Sequence, residues 1–159
     1  MRITLLVVLT SLILFSCQSA TTTPAANAGT TKTTATYKPG FGEFMSAIQA
    51  HHIKLWLAGN NDNWPLADFE LSEIKEIVED IKTYQQERQE TKHLDMLTVP
   101  LDSMDKSIKD KNPTAFKRNF IYLTNTCNNC HHEVNFEFNR VKIPDGNPFV
   151  NQDFSVPGK

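Results

Sequence analysis

The sequence has no excess of positive charge, no internal repeat and few long apolar runs, and each absence excludes a class of function or fold. Positive charge is not in excess, since 16 Lys and Arg stand against 18 Asp and Glu, with a net charge of −2 and a pI near 6.2. Nucleic-acid binding needs a basic face that neutralises phosphates, so no nucleic-acid partner is expected. The 159 residues contain no internal repeat and are too few for a second domain with its own active-site cleft. We therefore expect one small domain.

Long apolar runs are also scarce. Only residues 3–15 form one, directly after the positive Arg2, and this is the layout of a secretory signal that is too short for a comfortable transmembrane helix. The run ends in the sequence LFSC at residues 14–17, which resembles the lipobox of bacterial lipoproteins. That resemblance implies cleavage before Cys17 and attachment of lipid to it. The alternative is an ordinary signal peptide with a chance cysteine.

The next stretch has few side chains that a core could bury. Residues 18–38 contain eight Thr and many Ala, a composition that cannot offset the entropy lost on ordering a backbone. We therefore expect a signal peptide at 1–16, a lipid-anchored flexible linker at 17–38 and a folded domain at 39–159. The domain should hang from a membrane of the bacterial cell envelope, on the periplasmic side.

Signals for β-strands are weak. The alternation of apolar and polar residues that is typical of a strand occurs only at Val134, Phe136 and Phe138. The wholly polar stretch 85–93 is interpreted as frayed helix or loop. Neither segment predicts a sheet.

Apolar residues recur instead at helical spacing, in four segments. The first begins near Phe41, the second near Pro65, the third near Pro100, and the fourth at the Asn112-Pro113 pair, which suits a cap and first turn. The apolar stripes are formed by Phe41, Phe44, Met45, Ile48, Leu55 and Trp56; by Leu66, Phe69, Ile74, Ile77, Val78, Ile81 and Tyr84; by Leu101, Met104 and Ile108; and by Phe116, Phe120, Leu123 and Cys127. This pattern predicts an all-α fold, an antiparallel four-helix bundle with an irregular C-terminal extension.

The chemistry is concentrated at residues 127–131, which read Cys-Asn-Asn-Cys-His. This C-x-x-C-H pattern is typical of a site for covalent attachment of c-type haem. Cys127 and Cys130 would form thioethers to the two vinyl groups of one haem, and His131 would supply its imidazole to the iron. On a helix, Cys127 and His131 are four residues apart and share a face. We therefore predict one covalent haem c with His131 as the proximal axial ligand.

Three other uses of the cysteines stay open. A zinc site would need His ligands beside Cys127 and Cys130, and a second C-x-x-C is missing. A thioredoxin-like redox pair belongs at a helix N-terminus after a strand, whereas this pair closes a predicted helix. A plain disulfide would leave His131 without a role. The cysteine count favours haem, because lipidation of Cys17 leaves two thiols of the three and both lie in the motif.

The second axial ligand of such a haem is harder to assign. At about 100° per residue, His52 lies roughly 25° from the centre of the first apolar stripe and His51 roughly 75° from it. We therefore take His52 as the candidate distal ligand, with a hydrogen-bonded core histidine as the alternative interpretation. His132 lies beside the proximal ligand and cannot reach the opposite haem face. Further candidates are Met45, His93, Met96 and Met104. Weaker candidates, for contact with the haem propionates, are Lys117, Arg118 and Arg140.

Two blocks of sequence, at residues 52–59 and 63–67, accompany the motif at 127–131. Together they resemble small exported bacterial members of the cytochrome c′-like family of monohaem cytochromes, and the stretch 151–154 is similar as well. The resemblance implies a four-helix bundle, a covalently bound haem c and an electron-transfer or haem-based role. The resemblance also implies that Cys127 and Cys130 are the attachment points and His131 the proximal ligand. His52 falls within the first of the two blocks.

These observations predict an electron carrier that is anchored to a membrane by its N-terminal lipid and exchanges single electrons with an envelope redox partner. The alternative is a haem-based module that binds a diatomic gas, as in cytochromes c′, although the inward-facing His52 disfavours five-coordinate iron. A zinc-stabilised structural lipoprotein is the third hypothesis. An enzyme such as a peroxidase would need a distal acid–base pair, and the sequence offers none that we can identify.

The anchor is tested by cell fractionation. We expect the mature protein to stay in the membrane fraction after detergent-free lysis and to begin at a Cys17 whose mass includes attached lipid, because acyl chains hold a protein to a bilayer. Release of the whole mature protein with an unmodified Cys17 would reject the anchor.

Overall fold

The computed structural model describes residues 37–158; Cys17, the predicted signal peptide and most of the predicted linker lie outside this range. Over the described range the chain forms four α-helices and one 3₁₀ helix and no strand, so the fold is all-α as predicted. In chain order these are α1 (Phe41–Asn60), α2 (Trp64–Tyr84), the 3₁₀ helix (Glu90–Leu97), α3 (Thr98–Lys109) and α4 (Pro113–Glu133). No helix within 37–158 combines the length and apolarity needed to cross a membrane.

Side-chain caps set the starts of two helices. The Asn63 Oδ1 atom accepts a hydrogen bond from the Leu66 backbone N–H at 3.3 Å, and Asn112 Oδ1 accepts one from Ala115 at 3.0 Å. A proline in the first turn follows each cap, where its missing N–H costs nothing. These caps confirm the predicted starts of α2 and α4.

The structure defines two segments that the sequence left open and corrects the placement of two side chains. The polar stretch 85–93 is divided between an irregular turn and the first residues of the 3₁₀ helix. The alternating residues 134–138 form turns, because α4 ends at Glu133 and Asn135 takes a positive φ of 60°. Phe69 is 55% exposed and Tyr84 is 48% exposed, although the sequence pattern predicts both on the apolar side of α2. Phe69 lies two residues from the buried Ala67, about 200° around the helix, and therefore faces solvent.

The core is continuous across all four helices. Contacts join α1 to α2, α2 to α3, α3 to α4 and α4 to α1, and the 3₁₀ helix packs on α2, α3 and α4. The buried apolar side chains are Phe44, Leu55, Ala58, Ala67, Leu71, Ile74, Val78, Ile81, Leu94, Leu97, Leu101, Met104, Ile108, Phe116, Phe120, Leu123 and Phe154. Burial of this apolar surface is the main force that holds the helices together.

Aromatic rings form the contact between α1 and α4. Phe116 and Phe120 of α4 are fully buried, and the Trp56 ring of α1 lies 4.8 Å from the Phe120 ring, centroid to centroid. Gly59 permits this close approach, because a Cβ atom at that position would overlap the Phe116 ring.

Residues 134–158 form the irregular extension that the sequence predicted. Its far end is fixed to the start of α2, where Asn63 Nδ2 donates hydrogen bonds to the carbonyl oxygens of Phe154 at 3.3 Å and Ser155 at 2.9 Å. The Phe154 side chain is buried in the core. The extension is therefore part of the folded domain.

Two glycines of α1 test the close contact. We expect Gly59→Ala to lower the free energy of unfolding by about 1–3 kcal/mol, because the added methyl group overpacks the site against Phe116. Gly42 is the matched control, since a Cβ there meets nothing within 4 Å. Gly42→Ala should leave that free energy unchanged or raise it by up to about 1 kcal/mol. Urea unfolding measures both; equal effects would contradict the packing described here.

Candidate functional site

One cavity contains the residues of the C-x-x-C-H motif. Cys127, Cys130 and His131, from the last two turns of α4, line it together with residues of α1, the 3₁₀ helix and the chain that follows α4. Most of its surface is apolar, formed by Phe41, Met45, Ile48, Leu94, Leu97, Val134, Phe136 and Val141. The fold therefore brings both thiols and the adjacent imidazole to one largely apolar space.

The two thiols of the cavity are free and neutral. Cys127 and Cys130 form no disulfide with each other. Burial, followed by the nearby Cys130, raises the pKa of the Cys127 thiol to about 12. Burial also raises the pKa of Cys130, with smaller contributions from the carboxylates of Glu90 and Glu133. Redox-active cysteine pairs depend on a lowered pKa, so this environment disfavours thioredoxin-like chemistry.

The imidazole of His131 is held by the backbone after α4. His131 Nδ1 lies 2.6 Å from the carbonyl oxygen of Asn139. A carbonyl oxygen can only accept, so Nδ1 carries the proton and the Nε2 of the neutral ring keeps its lone pair. Metal-binding histidines have this arrangement, because the second nitrogen donates to a carbonyl or carboxylate.

His52 is also placed at the cavity, but its hydrogen bond differs from that of His131. Its ring is buried on α1 and lies 4.4 Å from the Phe120 ring, and its Nε2 is 2.9 Å from Thr124 Oγ1. The Thr124 hydroxyl donates its hydrogen to the Phe120 carbonyl at 2.9 Å, so it accepts from His52. Nε2 of His52 therefore carries a proton and has no lone pair for a metal. The geometry is that of a hydrogen-bonded core histidine.

Of the six sequence candidates for the second axial ligand, Met45 and His52 line the cavity. The remaining four do not: His51, His93, Met96 and Met104. His51 instead turns to α2, where its Nδ1 lies 2.6 Å from Oε2 of the buried Glu70. As the helical spacing predicted, His52 faces the cavity and His51 does not.

The donor set at the cavity fits a covalent haem. Two thiols and one imidazole with a free Nε2 surround a mainly apolar space. Residues 37–158 contain no group of three or more His, Cys, Asp and Glu side chains arranged to hold a bare metal ion. Among the three basic candidates for propionate contact, Arg140 lines the cavity.

Two side chains that line the cavity and one within the motif were not found from the sequence. Arg88 and Glu90 lie at its wall and pair with each other at 2.5 Å. The Asn128 side chain bonds the backbone of Val141 in the extension. The contact between Asn128 and Val141 spans 13 residues and leaves no periodic signal, although Asn128 stands inside the C-x-x-C-H motif itself.

Comparison with protein-family models, with curated proteins and with solved structures gave no match for this chain. The resemblance to cytochrome c′-like proteins stays a hypothesis. Function is therefore inferred from the residues and their geometry.

Acid should destabilise the fold through His52. Burial lowers its pKa to about 4 from the ordinary 6.5, so the unfolded chain binds a proton more readily than the folded chain between these pH values. The stability that neutral His52 contributes is present above pH 6.5 and is lost as pH falls towards 4. We compare the wild type and His52→Gln, both prepared without haem. Between pH 7 and pH 4, the free energy of unfolding of the wild type should fall by about 3 kcal/mol more than that of His52→Gln. Parallel losses in the two proteins, measured by urea unfolding at each pH, would contradict this.

Proposed function

We propose that this chain is an exported monohaem c-type cytochrome that transfers single electrons in the bacterial cell envelope. One observation carries the proposal. The two free thiols of Cys127 and Cys130 share a cavity with His131, whose Nδ1–H is bound by the Asn139 carbonyl and whose Nε2 retains its lone pair. This combination suits two thioether attachments and one axial ligand.

The residues that line the cavity would have separate roles in a haem site. Haem, when bound, supplies an iron centre that gains and loses one electron reversibly. Cys127 and Cys130 would hold the haem to α4, and His131 would provide an oriented nitrogen ligand. The apolar side chains of α1 and the 3₁₀ helix exclude water, which lowers the polarity around the site and affects its potential. Arg140 is the proposed propionate contact.

We also propose that the four helices form an antiparallel bundle of the cytochrome c′-like type. Gly59 of α1 lies against Phe116 of α4, and His52, two turns earlier in α1, bonds Thr124, about two turns later in α4. Opposite progression along two packed helices supports antiparallel directions for this pair. The connection between α1 and α2 is three residues long and that between α3 and α4 is also three, which favours antiparallel neighbours.

His52 remains the proposed distal ligand of the electron carrier. As a ligand, His52 would carry its proton on Nδ1, and its Nε2 would no longer bond Thr124 Oγ1. A neutral hydrogen bond contributes about 1 kcal/mol net, so this single bond is a small obstacle. Two fixed axial ligands would limit rearrangement on electron transfer, and bis-histidine ligation gives a lower potential than His/Met ligation.

The hydrogen bond from His52 to Thr124 favours a second candidate function. If His52 keeps this bond, the distal side has no imidazole ligand and is open to a small molecule. The protein would then be a haem-based module for a diatomic gas.

The anchor and partner are part of the same proposal. Lipid at Cys17 would tether the domain to an envelope membrane, with residues 17–38 as a flexible linker, and the electron would pass to or from an envelope redox partner protein. Covalent haem attachment in bacteria occurs outside the cytoplasm, which agrees with the export signal proposed for residues 1–16.

Absorption spectra of protein produced in a host that attaches haem c test the proposal. We expect a Soret band that survives denaturation, because thioethers are covalent, and low-spin ferric and ferrous spectra that CO does not change. His52→Ala should convert low-spin iron to high-spin, and His131→Ala should keep haem attached but lose the native axial ligation.

Matched variants make the result specific. His132→Ala removes an exposed imidazole next to His131, and Met45→Leu removes the other cavity-lining candidate ligand; both should leave the spectrum unchanged. A high-spin wild-type spectrum that shifts with CO would instead establish the gas-binding function. Absence of any haem mass on Cys127 and Cys130 would reject both.

A further inference from the structure

The chain that follows α4 turns back onto the C-x-x-C-H motif, and we propose that residues 134–141 are a strap that positions His131, with Asn128 as the positioning residue that holds the strap in place. The proposal deepens the function proposed above, because it assigns a role toward the proximal ligand to a residue outside the Cys-Cys-His set.

The strap begins with a tight reversal. Asn135 takes a positive φ of 60°, a conformation that Asn tolerates better than most residues. The N–H of Asn135 donates to the His132 carbonyl at 3.1 Å, and the N–H of Phe136 donates to the His131 carbonyl at 2.7 Å. A second turn follows, closed by a 2.9 Å bond from Asn139 N–H to the Phe136 carbonyl. These turns bring the Asn139 carbonyl back to the His131 ring.

The Asn128 side chain binds the strap at Val141, two residues after Asn139. Its Oδ1 accepts from the Val141 N–H at 2.8 Å, and its Nδ2 donates to the Val141 carbonyl at 2.9 Å. The amide group thus satisfies both backbone polar groups of a single residue. A pair of bonds fixes orientation as well as distance, which a single bond does not.

The strap is therefore held to the last turns of α4 at two points. One is the Asn128–Val141 pair, and the other is the 2.6 Å bond between His131 Nδ1 and the Asn139 carbonyl. The hydrogen bond between His131 Nδ1 and the Asn139 carbonyl is exposed, so water competes for the Nδ1–H. With Asn128 in place, the Asn139 carbonyl stays at the ring, and the Nδ1–H form with a free Nε2 is preferred.

The strap also covers the cavity, with Phe136 and Val141 among the lining residues. A role limited to covering the cavity predicts different effects of mutation. Phe136→Ala would open the cavity and keep all of the backbone bonds, whereas Asn128→Ala would remove the two bonds to Val141 and keep the Phe136 ring. The two variants separate positioning from covering.

The first measurement uses the full-length chain prepared without haem, with ¹⁵N-labelled histidine. NMR should show the His131 ring in the Nδ1–H form in the wild type and in Phe136→Ala. In Asn128→Ala the ratio of Nδ1–H to Nε2–H forms should fall by about fivefold, the effect of losing one ordinary hydrogen bond. Asn129→Ala is the matched control, because Asn129 is the other middle residue of the motif and is exposed. It should keep the wild-type ratio.

The second measurement uses the haem-loaded protein. Loss of the Nδ1–H bond makes His131 a less basic ligand, so the reduction potential of Asn128→Ala should be more positive than that of the wild type and of Asn129→Ala. Asn128→Leu keeps roughly the size of the side chain, adds no charge and loses both bonds to Val141. It should shift both readouts in the same direction, and it serves as the test if circular dichroism shows that Asn128→Ala does not fold.

An unchanged tautomer ratio in folded Asn128→Ala or Asn128→Leu would overturn the proposal, as would an unchanged potential in the same variant. The failure of the proposed function is a different result. If no haem can be attached but the tautomer ratio of Asn128→Ala still falls, the strap positions His131 and the haem assignment is wrong.

Discussion

The close contact between α1 and α4 is the constraint on which the cavity depends. At Gly59 the Phe116 ring packs directly against the α1 backbone, and further along the pair His52 bonds Thr124. Beyond these two contacts α1 contributes Phe41 and its neighbours, and α4 contributes the end of its last turns, to the walls of one apolar space. The close packing of α1 and α4 around Gly59 and Phe116 thus determines where the two helices can separate to form the cavity.

The two histidines at the cavity carry their protons on opposite nitrogens. His131 donates through Nδ1 to the carbonyl of Asn139, while His52 donates through Nε2 to the hydroxyl of Thr124. The partner decides the tautomer in each case, and the tautomer decides whether Nε2 has a lone pair. The structure therefore gives His131 the proton arrangement of a metal ligand and gives His52 that of a hydrogen-bonded core residue.

The sequence predicted the helices and the grouping of the motif because both depend on short-range spacing. Helical periodicity and the Asn112-Pro113 cap defined α4, and a position around α1 separated His52 from His51. Partners that are distant in the chain were beyond such reasoning: His52 and Thr124 are 72 residues apart, and Asn128 and Val141 are joined only after the chain reverses. Periodicity identifies the face of a helix, but not the group that this face meets. Phe69 shows the same limit, because the sequence pattern places it in the apolar stripe of α2 although its side chain is exposed.

The side-chain amide of Asn63 has two tasks that lie far apart along the chain. Its oxygen caps the first turn of α2 and its nitrogen binds the Ser155 carbonyl, 92 residues away. Detachment of the C-terminal extension from Asn63 therefore weakens the start of α2. Fraying of that first turn in the same way releases the extension. Amide protons near residue 155 and in the first turn of α2 should consequently exchange with solvent together, so these two segments share their local stability.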